Sequence, residues 1–271
     1  MIASANQMSN LKEIEAQLLG TGDLRQRIVR NLGSSSVAML ALYDNGLKFV
    51  GSGSLVFVGG SHYILTAAHV WDALQSAQSL GITVTDNIDH KFPIPIPAIV
   101  STTFQPPNLG WNEWGPDLAL LRIPPEQVGG IEAFQVFEHV MAPPKPLNVE
   151  SAEVWVTMGA PAELGNFTPT HADLQISGRF VGPNPVTHGQ YDYFDFELDS
   201  SAPDMPKSWG GMSGGGLWRV LVYHSPETGQ IDWAQRLWGV VFWEFPLKDG
   251  YRIVRSHGHQ SITAIAKSVL P

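Results

Sequence analysis

Trp209-Gly210-Gly211-Met212-Ser213-Gly214-Gly215-Gly216 places five glycines and one hydroxyl within eight residues. Glycine weakens helices and strands alike, so the run is a loop whose backbone takes unusual angles or passes close to another group. Two earlier stretches bear on its serine. His69 closes Leu65-Thr66-Ala67-Ala68-His69, directly behind the apolar Tyr63-Ile64-Leu65, and Asp117 opens Asp117-Leu118-Ala119-Leu120-Leu121. Histidine, aspartate and serine therefore follow one another at gaps of 48 and 96 residues, the first two beside short apolar runs that read as strands.

These residue types answer one chemical need. A serine hydroxyl is a weak nucleophile at neutral pH, so a base has to take its proton as it attacks. Neutral histidine can accept that proton and later return it to a leaving group. A buried aspartate fixes the histidine tautomer and stabilises the imidazolium. The glycines let backbone N–H groups converge on a developing oxyanion, and Gly211 and Ser213 are the expected donors. Singly, a Gly-x-Ser-Gly loop, a histidine after Ala-Ala and an aspartate before a strand are each uninformative. Their order and spacing together carry the reading.

That order, with a Gly-x-Ser-Gly-Gly loop, resembles the trypsin-like serine peptidases, over a span from about Ser36 to about Lys267. The resemblance implies an all-β fold of two six-stranded antiparallel β-barrels with the active site in the cleft between them. His69 and Asp117 would come from the first barrel and Ser213 from the second. It implies a serine endopeptidase acting on polypeptides through an acyl-enzyme, with no metal or organic cofactor.

Composition agrees with a β-rich globular chain. Of 271 residues, 44% are hydrophobic and only 15% charged, which does not suit bulk disorder. The formal net charge of −9 argues against a nucleic-acid or anionic-membrane surface. No apolar run approaches the length of a membrane helix, and Met1–Gly20 lacks the basic start and apolar block of a secretory signal. With no cysteine in the chain, a reducing compartment, the bacterial cytoplasm, is the expected location.

The chain divides by pattern. Residues 1–33 read as a helical extension: Leu11, Ile14 and Leu18 share one face, with Asn10 and Glu13 as a capping-box-like start, and Leu24, Ile28 and Leu32 share another, with Gly33 as a stop. This pair is either a lid packed on the barrels or a docking element for a regulatory partner. Residues 34–123 form the first β set, in which a helix is expected over Val70–Leu80. Phe92–Pro97, with alternate prolines, is at best an edge strand. Residues 124–150, rich in proline, are a crossover. Residues 151–271 form the second β set, closing in a short helix at Ser261–Val269, also common in the family. No internal repeat is visible.

The chain departs from the digestive peptidases in two places. The family's aspartate before the nucleophile, which pairs with a new amino terminus after activation, is here Met212, so the oxyanion loop has to be set by packing, by a partner or by substrate. The family's primary pocket floor falls on Lys207, and its substrate-pairing strand on Phe242-Trp243-Glu244. Lys207, Ser208, Trp209, Phe242, Trp243 and Glu244 are thus the expected substrate-binding residues. Lys207 either attracts an acidic side chain, forms an ion pair with Glu244, or turns to solvent beside a remodelled pocket. His257 and His259 read as a surface loop, and His62, His90, His139, His171, His188 and His224 show no ligand spacing. Two rival functions stay open: a protease-like binding module without chemistry, and an esterase using the same triad.

Overall fold

The computed structural model describes residues 5–20, 22–83, 92–106, 110–142, 149–168, 171–201 and 205–271, without the side chains of residues 5–10. His90 and the prolines at 143, 144 and 146 lie outside these. Among the described residues strands predominate over helices.

Two helices come first, α1 (Ala5–Leu19) and α2 (Asp23–Gly33). α1 is already under way at Ala5, so Asn10 lies inside it rather than at its start. The first sheet is built from β1 (Ser36–Tyr43), β2 (Gly46–Val58), β3 (Ser61–Thr66), β4 (Ser79–Ile82), β5 (Phe92–Pro95), β6 (Val100–Phe104) and β7 (Leu118–Arg122), with the short β8 (Glu138–His139) added beside β2. Its order is β5-β4-β1-β2-β3-β7-β6. β5 takes the end position that Pro93 and Pro95 require, since proline cannot donate to a second neighbour. The helix after His69, α3 (Ala68–Leu74), is shorter than the sequence suggests, because Ser79–Ile82 leaves it to pair with β1 as a strand. The proline-rich crossover is also more than a linker: it supplies α4 (Pro125–Glu132) as well as β8.

The second sheet and a small hairpin comprise β9 (Ser151–Gly159), β10 (Asn166–Phe167), β11 (Ala172–Asp173), β12 (Ser177–Val181), β13 (Asn184–His188), β14 (Tyr191–Asp199), β15 (Gly216–His224), β16 (Ile231–Glu244) and β17 (Tyr251–His257). β10 and β11 form the hairpin, and the rest run β12-β9-β15-β16-β17-β14-β13. α5 (His259–Lys267) closes the chain. One apolar cluster joins both sheets: Val56 and Leu120 from the first, Val156 and Val220 from the second, and Ile262 of α5 are all fully or almost fully buried together. Ile14, Leu24, Ile28 and Leu32 complete it, so the helical extension packs its apolar faces into the body of the protein.

Candidate active site

The pairing of β3 with β7 brings the first two residues together. Thr66 lies opposite Ala119 in an antiparallel register, so the end of β3 and the start of β7 emerge at the same edge. Ala67 stays extended, α3 begins at Ala68, and His69 falls in its first turn. Ala67 and Ala68 are completely buried, which explains the small residues before the histidine. Asp117 is 1% exposed, and its carboxylate grips His69 twice. Oδ1 accepts the His69 main-chain N–H at 3.0 Å, and Oδ2 meets Nδ1 at 2.6 Å. A carboxylate at Nδ1 places the ring proton there and leaves the Nε2 lone pair outward, as a general base requires. The His69 side chain is 28% exposed, so that lone pair is reachable.

The second sheet braces this pair. Residues 113–117 precede β7, yet β14 and β17 supply much of their support. Arg255 is held bidentately by Asp195 at 2.6 and 2.7 Å and donates to Glu113 O at 2.9 Å, its guanidinium lying over the Trp114 ring. Tyr193 donates its hydroxyl to Trp114 O. The Asp117 N–H donates to Nε2 of His257 at 3.0 Å. His257 is therefore no surface histidine: it is completely buried, stacked on Phe242 at 4.4 Å, and held down to about 4 by burial, against the opposing pull of Asp117 and Asp192. Isolated sequence spacing carried no signal for this role.

Ser52 of β2 connects the serine loop to the first sheet. Its N–H donates to Ser213 O at 2.8 Å, its carbonyl accepts Thr66 Oγ1 at 2.7 Å, and its buried hydroxyl donates to Gly211 O at 2.7 Å while accepting the Ala160 N–H at 2.9 Å. A Cβ on Gly51 would meet both Val70 Cγ2 at 2.7 Å and Ser213 O at 2.9 Å, so the serine loop and the residue after His69 close on that glycine from two sides. Gly214, at φ +87°, has no room for a Cβ, which would lie 1.9 Å from Ser52 O. Gly210 O accepts the Ala162 N–H at 2.8 Å. In a trans peptide this turns the following N–H, that of Gly211, the other way. Among the described residues the N–H groups of Gly211 and Ser213 have no acceptor, and no hydrogen bond joins Ser213 Oγ to the His69 ring. Met212 sits in the core against Leu217 and Val241, 1% exposed, so packing sets the loop where an ion pair is absent.

The remaining expected substrate residues divide. Trp209 and Phe242 are each 2% exposed, one in the core with Val254 and the other on His257, so their side chains are unavailable to a substrate and only their backbone is. Trp243 is partly buried and Lys207 exposed. Glu244 pairs with Arg252 at 2.9 Å, not with Lys207. Among the described residues no cluster of three or more metal-ligating side chains occurs, and no helix is long and apolar enough to cross a membrane. No family model matches this chain, and no curated protein matches it in sequence.

Proposed function

We propose that the protein is a serine endopeptidase of the trypsin-like class, with Ser213 as nucleophile, His69 as general base and then acid, and Asp117 as the orienting carboxylate. One observation carries this reading: the buried Asp117 holds both the main chain and the ring of His69, at 3.0 and 2.6 Å. In the reaction, Ser213 Oγ attacks a peptide carbonyl as His69 Nε2 takes its proton. The oxyanion is met by the N–H groups of Gly211 and Ser213. His69 then protonates the departing amine, and water hydrolyses the acyl-enzyme by the same steps in reverse.

The two-barrel reading is supported by strand order. By rank in the chain, β1, β2, β3, β4, β6 and β7 lie in the order fourth, first, second, third, sixth, fifth. The corresponding six of the second sheet, β9, β12, β14, β15, β16 and β17, lie second, first, fourth, fifth, sixth, third. Closed end to end, these are the same ring read in opposite directions. β12 and β14, the ends that would close the second ring, approach each other. β5, β8, β13 and the β10–β11 hairpin are additions to the two sets of six.

A polypeptide substrate would lie along Phe242–Glu244, an edge that β15 does not cover beyond Val240. An intracellular peptidase needs restraint. The N-terminal helices bury Ile14, Leu24, Ile28 and Leu32 in the protein, so a regulatory partner would meet their other faces.

The missing Ser213–His69 hydrogen bond favours a second reading, a module of the same fold that binds without chemistry. Such bonds also lengthen in free enzymes and tighten in the substrate complex. A fluorophosphonate probe separates the two: the wild type should label and Ser213→Ala should not, while Asp117→Asn should lower kcat by about 10⁴-fold. A folded wild type that does not label would overturn the peptidase reading, and turnover of activated esters without peptides would assign an esterase.

A further inference from the structure

Resting on the peptidase reading, we infer that Glu244 closes the recess beside Ser213, so that the substrates are polypeptides with a small, uncharged residue on the carbonyl side of the cleaved bond. A substrate whose carbonyl oxygen meets Gly211 and Ser213, and whose backbone follows Phe242–Glu244, must put that residue's side chain between the end of β16 and the loop 207–212. The Glu244 carboxylate spans this interval. Oε1 accepts the Trp209 N–H at 3.1 Å, and Oε2 accepts the Ser208 hydroxyl at 3.3 Å. Arg252 Nε meets Oε1 at 2.9 Å and donates also to Lys207 O at 2.8 Å, so one guanidinium ties both walls. Behind the loop, Glu163 accepts the N–H of Lys207 at 2.8 Å and of Ser208 at 3.0 Å.

Each alternative substrate class meets an obstacle. A large side chain would have to break the bridge between Glu244 and the Ser208–Trp209 backbone. Below it the Trp209 and Val254 side chains are packed in the core, with Val254 directly across from Glu244 in the β16–β17 ladder. A basic side chain finds Glu244 already paired with Arg252 and accepting hydrogen bonds from Ser208 and Trp209. An acidic one would need Lys207, whose N–H and C=O are both tied to neighbouring side chains while the residue itself is exposed. A side chain no larger than that of alanine or serine disturbs none of these contacts.

The test is the rate at which peptidyl diphenyl phosphonates inactivate the wild-type chain, with the alanine, phenylalanine, lysine and glutamate analogues compared. Ser213 Oγ forms a bond to phosphorus, and phenoxide leaves with the serine proton delivered by His69. The alanine analogue should react roughly 10–100-fold faster than the other three, the discrimination a steric wall supplies. Glu244→Gly should narrow the alanine-to-phenylalanine ratio about tenfold. If the wild type labels with a fluorophosphonate yet reacts as fast with the phenylalanine, lysine or glutamate analogue, the inference fails and the peptidase reading stands. If neither reagent class labels the folded wild type, the peptidase reading fails and takes this inference with it.

Discussion

The backbone N–H of Asp117 donates to Nε2 of His257 at 3.0 Å, at a point where both residues are buried. An accepting Nε2 forces the proton onto Nδ1 and requires the ring to be neutral. Burial enforces the same state by holding the group down to about 4 from an ordinary 6.5. Between pH 6.5 and 4 the unfolded chain therefore binds more protons here than the folded one, so this contribution to stability is complete above 6.5 and lost on acidification. The full loss is about 3 kcal/mol. Urea unfolding at a series of pH values should show that His257→Gln removes this part of the acid sensitivity. An unchanged profile would place the ring in contact with solvent.

Glu138 works in the opposite direction. Burial pushes it up to about 7 from 4.5, with Arg236 and the backbone at Leu237 pulling it down. The folded chain binds more protons in that window, so the stabilising contribution is complete below 4.5 and is lost as pH rises through 7. Between 4.5 and 6.5 the two groups partly cancel. Glu138→Gln should gain most on wild type near pH 8, least near pH 4.5, and unfold more steeply with acid between them. A constant offset at every pH would show that Glu138 stays ionised throughout.

Ser52→Ala deletes the hydroxyl that spans Gly211 O and the Ala160 N–H, leaving that buried N–H without its acceptor. The expected loss of stability is about 1–3 kcal/mol. On the proposed peptidase reading Gly211 supplies an oxyanion donor, so kcat/KM should also fall, by about 10- to 100-fold, with fluorophosphonate labelling slowed in parallel. Unaltered labelling in a destabilised variant would confine Ser52 to a structural role.

Gly214→Ala and Gly60→Ala separate backbone strain from collision. Both glycines have left-handed angles, φ +87° and +82°, but a Cβ on Gly60 meets nothing within 4 Å, whereas on Gly214 it strikes Ser52 O and Thr66 Oγ1 at 1.9 and 2.1 Å. Gly60→Ala should cost about 1–2 kcal/mol. Gly214→Ala should cost roughly 3 kcal/mol or more, since neither obstacle is a flexible chain end. Equal melting temperatures for the two variants would contradict this packing.

Removing residues 1–33 should unfold the protein instead of releasing a regulated enzyme. Ile14, Leu24, Ile28 and Leu32 are at most 3% exposed and share a core with Val156, Met158, Val220 and Val222. Four such side chains are worth on the order of 6–12 kcal/mol, comparable with the whole stability of an ordinary domain. A truncated chain that melts cooperatively near the wild-type temperature would refute this.

Much of this architecture was legible in local pattern. Leu24, Ile28 and Leu32 predicted α2 because helical spacing alone puts them on one face, and the alternate prolines at 93 and 95 marked an edge strand because proline lacks a donor. The same reasoning misjudged Ser79–Ile82, where pairing with β1 overrides a local continuation of the helix, and made His257 a loop residue, because burial is set by strands far away in sequence.

By itself the sequence determined where His69, Asp117 and the Ser213 loop stand relative to their own strands, since alternation, glycine and proline act over a few residues. Only the tertiary structure decided what holds them. Ser52, 161 residues before Ser213, is hydrogen-bonded to it, and His257, 140 residues after Asp117, supports it. It also decided that Glu244 meets Arg252 instead of Lys207, and which strands are neighbours in each sheet. Hydrogen bonds between distant segments depend on register, and register is fixed only when both sheets bury their faces against the shared core.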